Sequence, residues 1–136
     1  MFNYNAKIEW EEDCYLVTFP DFDWGHTAGD TIEEALQEAQ DCLYQILSTL
    51  INEDETAPEV NYKSEYKICP CTILQGKVLI QQTLKEKNLK RADLGRLLGL
   101  DNKSLQRLVS PKYKVKIDQI EKAMKALKKP IAFAFA

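Results

Sequence analysis

The sequence predicts an α+β protein in two parts: an N-terminal small antiparallel sheet with one packed helix, then a C-terminal four-helix domain ending in a short β-strand. Two observations predict this organisation. Apolar residues alternate with polar ones near the N-terminus, which is the period of a half-buried strand. They recur at steps of three and four between residues 32 and 50 and again after Gly76, which is the helical period.

Charge divides the chain near residue 65. Residues 1–65 hold 2 Lys and no Arg against 16 acidic residues, a net charge of −14, whereas residues 66–136 hold 16 basic residues against 5 acidic ones, a net charge of +11. A basic domain suits a polyanion, and an acidic one repels polyanions and attracts basic proteins. We therefore expect the two parts to bind partners of opposite charge.

Composition and length bound the class of protein. A chain of 136 residues with 45% hydrophobic residues can bury a core and can also form two small domains. The sequence has no run of 18 apolar residues and no secretion signal, so we expect a cytoplasmic protein with no membrane partner. Because cytosolic thiols stay reduced, Cys14, Cys42, Cys69 and Cys71 are interpreted as packing residues.

The first predicted elements are strands. Residues 4–10 alternate apolar and polar side chains, and residues 14–19 are rich in β-branched and aromatic types. The acidic turn at residues 11–13 joins them into a predicted hairpin. A short third strand is predicted around residues 25–28.

An amphipathic helix of about five turns is predicted next. Its apolar stripe consists of Ile32, Ala35, Leu36, Ala39, Leu43, Ile46, Leu47 and Leu50. Thr31 and Glu34 have the spacing of a capping box, in which hydroxyl and carboxylate satisfy free backbone N–H groups reciprocally. Packing this stripe on one face of a three- or four-stranded sheet buries both apolar surfaces.

A polar segment, residues 52–65, separates the two halves and is predicted to be a loop or linker. Its acidic run, residues 53–59, is interpreted as solvated, with a docking motif as the alternative. Residues 66–71 predict one more strand, and Pro70 favours an edge position. Because that strand can belong to the first sheet, the predicted domains are residues 1–73 and 74–136.

Four short helices are predicted after Gly76 from the helical period of the apolar residues. The chain then ends in an alternating segment from Pro130, with Ile131, Phe133 and Phe135 on one side, which predicts a terminal strand. An exposed lone strand is a liability, so we expect it to pair with a strand of the same chain or of a second copy.

Residues 94–108 resemble the helix-turn-helix of phage-repressor-type DNA-binding proteins. Gly99 falls at the tight turn, which requires positive φ, and Gly95 lets the two helices approach. Asp101 is a candidate N-cap for the second helix. The residues expected to fill the core between the helices are Leu94, Leu98, Leu100, Leu105 and Leu108.

The second helix of this motif carries the candidate base-reading residues, which are Asn102, Lys103, Ser104, Gln106 and Arg107. Asn and Gln can bond adenine, Lys and Arg suit guanine, and Ser is permissive. Arg91, Lys112 and Lys114 are candidate phosphate contacts, which fix register and add salt-dependent affinity. The alternative interpretation is a helical pair with solvated basic residues.

Residues 4 to about 50 resemble HicB-type antitoxins. The resemblance is carried by Tyr4-x-Ala6-x-Ile8-Glu9, by Tyr15-x-Val17-x-Phe19-Pro20-Asp21-Phe22, and by Thr27-x-Gly29-Asp30-Thr31-x-Glu33-Glu34-Ala35. It implies a partially degraded RNase H-like fold without nuclease activity, which binds and masks HicA, a small basic mRNA-cleaving toxin. Many members of that family carry a DNA-binding domain after the antitoxin domain.

Taken together, these features predict an antitoxin that occludes a HicA-type toxin and binds operator DNA to repress its own operon. A homodimer or higher homo-oligomer is expected, since a single helix-turn-helix makes few base contacts. No cofactor, metal or catalytic residue is expected. The candidate toxin-binding residues, on the hairpin turn and the Pro-Asp loop, are Glu11, Glu12, Asp13, Asp21 and Asp23.

Other functions remain open at this point. The N-terminal domain of a transcriptional regulator can sense a small ligand, and an active nuclease would use Asp21, Asp23 and Asp30 to hold Mg²⁺. A zinc site can be drawn from Cys69 and Cys71 with Cys14, Cys42 or His26, although the usual C-x₂₋₄-C spacing is absent. His26 as a catalytic base lacks a neighbouring Ser or Cys nucleophile.

Overall fold

A computed structural model of the chain describes residues 3 to 132. Its elements in that range are β1 (Tyr4–Glu11), β2 (Cys14–Thr18), β3 (His26–Gly29), α1 (Ile32–Asn52), β4 (Tyr66–Ile68), α2 (Thr72–Glu86), α3 (Arg91–Leu98), α4 (Asn102–Val109) and α5 (Ile117–Ala126). This order confirms the α+β class and the four helices after the sheet. In this part of the chain no helix has the length and apolar character needed to cross a membrane.

The four described strands form one antiparallel sheet in the order β3-β2-β1-β4. The predicted hairpin is confirmed, with Glu11 opposite Cys14 and Trp10 opposite Tyr15. The fourth strand is confirmed at the sheet edge, where Tyr66 pairs with Ala6. It ends before Pro70, shorter than predicted, because proline cannot donate a ladder hydrogen bond.

The first unit buries its core between the sheet and α1. Tyr4, Ala6 and Val17 are buried from the sheet, and α1 contributes its predicted stripe, including Ala35, Ala39, Leu43, Ile46 and Leu47. β3 approaches α1 so closely at Gly29 that a Cβ there would lie 2.5 Å from the Ala35 nitrogen. Only glycine fits this crossing without a backbone shift.

The predicted capping box at the start of α1 forms with one change. The backbone N–H of Glu34 donates to the Thr31 hydroxyl oxygen at 3.1 Å. The Glu34 carboxylate accepts a hydrogen bond at 3.3 Å from the N–H of Asp30, one residue earlier than in the predicted reciprocal pair. Both bonds satisfy backbone donors at the helix entry.

The polar segment after α1 is irregular, as predicted, and its second half is fixed to the sheet. The Tyr4 hydroxyl donates to the Pro58 carbonyl at 2.5 Å, and the Ser64 hydroxyl donates to the Ala6 carbonyl at 2.7 Å. Burial raises the pKa of the Tyr4 phenol above its usual value. Each of these bonds joins the segment to β1.

The first half of the segment belongs to another group of contacts. The described residues divide into one compact unit of residues 3–47 and 58–71 and a second of residues 48–57 and 72–132. In the second unit, Gln81 donates to the Asp54 carboxylate at 3.3 Å and to the Glu55 carbonyl at 3.1 Å. Residues 52–65 are thus held in two places, and the functional division at residue 73 stays a prediction.

The second unit packs around a helical core. Its buried members are Ile80, Leu84, Leu94, Leu108, Val109, Ile120, Ala123, Met124 and Leu127. Ile131 packs against this cluster, and residues 130–132 have no regular secondary structure. The rest of the predicted terminal strand, residues 133–136 with Phe133 and Phe135, lies outside the described residues.

The four cysteines are free thiols with different environments. Cys14 and Cys42 are half-buried, and burial raises the pKa of the Cys42 thiol. Cys69 and Cys71 are exposed, so the interpretation as packing residues is wrong for these two. They follow the edge strand β4, where neither side chain is covered by the core.

Candidate functional site

The turn between α3 and α4 has the geometry that its sequence predicts. Gly99 adopts φ 66° and ψ 33°, in the left-handed region that favours glycine. The backbone N–H of Leu100 donates to the Gly95 carbonyl at 2.9 Å, and that of Gly99 donates to the Arg96 carbonyl at 3.3 Å. These bonds end α3 at Leu98, and α4 begins at Asn102.

Two further predictions about this helix pair are confirmed. A Cβ on Gly95 would lie 3.0 Å from the Leu105 Cδ2 atom, so the small residue permits the close approach of α4. The Asp101 carboxylate accepts a hydrogen bond from the Ser104 backbone N–H at 2.7 Å and caps α4. That bond holds the pKa of the Asp101 carboxyl below its usual value.

Four candidate base-reading residues share one exposed face of α4. Asn102, Lys103, Gln106 and Arg107 are all exposed and fall within about 140° of the helix circumference at 100° per residue. The opposite side of α4 carries the core residue Leu108. The helix therefore presents two amide and two cationic side chains together, which is the chemistry suited to base edges in a major groove.

Ser104 lies apart from those four residues. It lines a small cleft of about 260 Å³ with Leu98, Leu100, Leu108, Gln119 and Lys122. Its backbone N–H also donates the hydrogen bond that the Asp101 carboxylate accepts. Although Ser104 is exposed, its position on α4 separates it from the face that carries the other candidates.

A buried lysine, which the sequence interpretation missed, holds the C-terminal end of α4. Lys77 on α2 is 2% exposed, and its Nζ atom donates to the carbonyls of Arg107 at 3.1 Å and Ser110 at 2.5 Å. It also donates to the carbonyl of Tyr113. A cation at this place satisfies carbonyls without intrahelical partners and stabilises the negative end of the helix dipole.

The sequence does contain a signal for Lys77. Leu74, Lys77, Gln81 and Leu84 recur at steps of three and four, so the lysine lies on the buried face of α2. A charged residue at such a position needs buried partners. The partners are backbone carbonyls 30 to 36 residues away, which no local pattern can identify.

The candidate phosphate contacts differ in how freely they are presented. Lys112 and Lys114 are exposed in the loop after α4, and the Lys112 Nζ atom lies 5.8 Å from the centre of the Tyr113 ring. Arg91 is half-buried, and its Nη2 atom donates to the Ile51 carbonyl at 2.9 Å. The guanidinium of Arg91 thus already binds the end of α1, while its other N–H donors remain for a further contact.

The acidic candidates on the hairpin turn are presented outward. Glu11, Glu12 and Asp13 are all exposed at the tip joining β1 and β2. Trp10, just before them, is 57% exposed and packs edge to face on Tyr15, with ring centroids 4.9 Å apart. The hairpin tip therefore combines carboxylates with the exposed Trp10 and the half-buried Tyr15.

The two aspartates of the Pro-Asp loop have different roles in the structure. The Asp21 carboxylate accepts backbone hydrogen bonds from Asn61 at 3.1 Å and Tyr62 at 2.9 Å, and so holds the segment after α1. Asp23 is exposed and lines a cleft of about 460 Å³ with Trp24 and His26. Of the pair, Asp23 is the carboxylate that the fold leaves available.

The residues of the alternative metal sites are not brought together. Within residues 3–132 no group of three or more His, Cys, Asp or Glu side chains has a metal-binding arrangement. Asp21 binds backbone N–H groups, and Asp30 is exposed beside the α1 cap. His26 is exposed on β3, which lies at the edge of the sheet opposite to β4.

Comparisons of the sequence with known proteins identify a family and several relatives. A family model described as a HicB-like antitoxin of bacterial toxin–antitoxin systems matches residues 3–68, which include the sheet and α1. The chain is 36% identical to Antitoxin HicB 2 of Photorhabdus laumondii, over 93% of this chain and 91% of the relative. It is 28% identical to Antitoxin HicB of Pseudomonas fluorescens, over 93% and 89%.

A third relative, Antitoxin HicB of Escherichia coli K12, is 27% identical over 89% of both chains. A protein of this class is an antitoxin component of a bacterial toxin–antitoxin system. The chain belongs to the HicB-like antitoxin family, as the resemblance of its first half predicted. The matches to the relatives extend through the helical second unit as well as the sheet.

Proposed function

We propose that this chain binds and occludes a small basic mRNA-cleaving toxin of the HicA type, and that it binds operator DNA through α4 to repress its own operon. The observation that carries the proposal is membership of the HicB-like family in a chain whose charge changes sign between its halves. We also propose a cytoplasmic location, where a toxin that cleaves mRNA and an operator would both be accessible to the chain.

The toxin-binding role is supported by charge. Residues 1–65 carry a net charge of −14, and three exposed carboxylates of that half stand together at the hairpin tip. Complementary charge raises the rate of association and selects the partner. An acidic surface laid over a basic RNA-binding face also excludes RNA by repulsion.

Co-expression of the full chain with a tagged, inactive HicA-type toxin tests this role. We expect the two to elute together from an affinity column in 0.1 M salt, since they bind as a complex. A tagged basic protein of similar size and unrelated fold is the matched control and should not retain the chain. Elution of the toxin alone would contradict the proposal.

The DNA-binding role is supported by the helix pair α3 and α4. Four polar side chains lie on one exposed face of α4, its N-terminus is capped by Asp101, and its C-terminal end is held by Lys77. Phage-repressor-type motifs place such a helix in the major groove and usually bind as two-fold symmetric dimers. We therefore propose a homodimer or higher homo-oligomer on paired half-sites.

The exposed face of α4 is tested by its sequence discrimination. The double variant Lys103→Ala, Arg107→Ala should lose most of the preference of the chain for its own promoter over a scrambled fragment, because base contacts carry the specificity. Fluorescence anisotropy with both fragments measures the ratio of dissociation constants. Intact discrimination in this variant would overturn the assignment of α4 as the recognition helix.

The proposed mode of action is binding, without catalysis by this chain. The carboxylates that a nuclease would use are separated, with Asp21 engaged by backbone N–H groups. Incubation of the purified chain with labelled mRNA and Mg²⁺ should leave the RNA intact. Metal-dependent cleavage that copurifies with the chain would contradict this proposal.

A further inference from the structure

The hairpin tip carries an aromatic pair, the exposed Trp10 and the half-buried Tyr15. Trp10 is 57% exposed, although it lies on the same face of β1 as the buried residues Tyr4 and Ala6. It packs on Tyr15 of β2, with an interplanar angle of 68°. Tryptophan and tyrosine are enriched among the few residues that carry most of the binding energy of protein interfaces.

Three exposed carboxylates occupy the hairpin turn that begins next to Trp10. Glu11, Glu12 and Asp13 follow Trp10 directly, and in the described part of the chain their side chains have neither an ion pair nor a hydrogen bond. None of these three carboxylates forms an ion pair with another described residue. They are therefore free to bind a cation from outside.

The first turn of α1, which is also acidic, is connected to Tyr15 through Gly29. Tyr15 pairs with Gly29, and Gly29 lies against the backbone of Ala35 in the first turn of α1. That turn carries the exposed residues Glu33 and Glu34. The turn that packs against the strand partner of Tyr15 thus carries two exposed acidic residues.

We propose that Trp10 and Tyr15 with Glu11, Glu12 and Asp13, the acidic aromatic patch, form a binding site for a lysine or arginine side chain of the toxin. The inference rests on the proposed toxin-binding function. A cation placed over the indole face gains from the ring quadrupole, and the adjacent carboxylates pair its charge. Charge selects the occupant, because the same carboxylates repel nucleic acid.

The second tryptophan of the chain provides a matched comparison. Trp24 is 45% exposed, similar to Trp10, but it lies in the Pro-Asp loop cleft among Phe22, Gly25 and His26, with Asp23 as the carboxylate that lines the cleft. The cleft lacks the dense negative charge of the acidic aromatic patch. Removal of each tryptophan therefore separates the effect of the patch from that of any exposed indole.

Titration calorimetry of the full chain with an inactive HicA-type toxin tests the proposal. Trp10→Ala should raise the dissociation constant at least 30-fold, whereas Trp24→Ala should change it less than threefold. Thermal unfolding of each variant checks the fold. The carboxylate variant E11Q, E12Q, D13N leaves the core untouched and should raise the dissociation constant at least fivefold, with the exposed triple variant E53Q, E55Q, E59Q as its charge-matched control.

A spectroscopic measurement reports on the two sites without changing them. The chain contains two tryptophans, so 5-fluorotryptophan labelling gives two ¹⁹F resonances, assigned with the Trp10→Phe and Trp24→Phe variants. Unlabelled toxin should shift the Trp10 resonance and leave that of Trp24 in place. A shift confined to Trp24 would overturn the proposal.

The outcomes separate this inference from the proposed function. If the wild-type chain does not bind the toxin, the toxin-binding function is overturned and the patch with it. If the wild-type chain binds and Trp10→Ala binds within threefold of it, the function stands and the patch is overturned. Loss of affinity in Trp10→Ala and in the carboxylate variant, with both controls unchanged, supports the patch.

Discussion

Gly99 and Asp101 show how single residues fix the α3–α4 turn. Gly99 supplies the positive φ that ends α3, and Asp101 caps α4 two residues later. Both roles were predictable from residue type and position, because each depends on the backbone within three residues. The role of Asp21 was not, since its acceptor bonds join residues 40 and 41 positions away.

Gly99→Ala should lower the free energy of unfolding by about 1 kcal/mol, because a Cβ disfavours the left-handed region. No atom lies within 4 Å of the position that a Cβ would take, so the cost is conformational and not steric. Urea denaturation of the variant and of wild type measures the difference in the free energy of unfolding. Gly99→Asn is the control and should lose less, since Asn tolerates this conformation; equal stability of Gly99→Ala and wild type would contradict the assignment.

Asp101 gives a pH-dependent prediction. Its pKa is lowered in the folded chain by the hydrogen bond from the Ser104 N–H, so its stabilising contribution is present above the ordinary aspartate pKa. It is lost as pH falls through the lowered folded pKa. The melting temperature of Asp101→Ala should therefore lie below that of wild type at pH 7 and converge on it in acid; a constant difference down to pH 2 would contradict the account.

At the scale of elements, local patterns predicted the hairpin, α1 and the helices of the second unit. These elements follow from alternation, from helical period and from turn residues, all of which act over short separations. The start of α2 at Thr72, four residues before the predicted Gly76, was missed because the adjacent apolar residues Ile73 and Leu74 do not distinguish a helix from a strand. Its contact with α4 through Lys77 joins residues distant in sequence, which period alone does not reveal.

Lys77→Met should lower the free energy of unfolding by about 3 kcal/mol, because it leaves buried carbonyls without a donor. Lys85→Met on the same helix is the matched control. Lys85 is exposed, so we expect a change within about 0.5 kcal/mol. Denaturant unfolding of both variants measures the difference, and equal effects would show that the Lys77 contacts do not stabilise α4.

For the whole molecule, the boundary of charge near residue 65 does not coincide with the boundaries of the structural units. Residues 48–57 carry acidic side chains yet group with the helical unit, while β4 follows the charge boundary and pairs with the first sheet. Charge is a property of the surface, whereas the units are set by buried contacts. The change in charge therefore did not predict the path of the chain between the units, and the partners of opposite charge that it predicts remain proposals.

Operator binding should be strongly salt-dependent at this scale. With two phosphate contacts from each protomer of a dimer, Lys112 and Lys114, affinity should fall about 100-fold between 50 and 200 mM salt. Anisotropy titrations at several salt concentrations measure the slope. Lys112→Ala, Lys114→Ala should flatten it and weaken both specific and scrambled DNA; an unchanged slope would remove these lysines from the interface.

The antitoxin role is tested most directly by the rate of RNA cleavage. Active HicA-type toxin is incubated with a labelled mRNA and titrated with the full wild-type chain, and the initial cleavage rate is recorded at each ratio. The account predicts that the rate falls linearly and reaches background near a fixed stoichiometric ratio, since occlusion is direct and tight. A cleavage rate that stays unchanged with the chain in tenfold excess would contradict it.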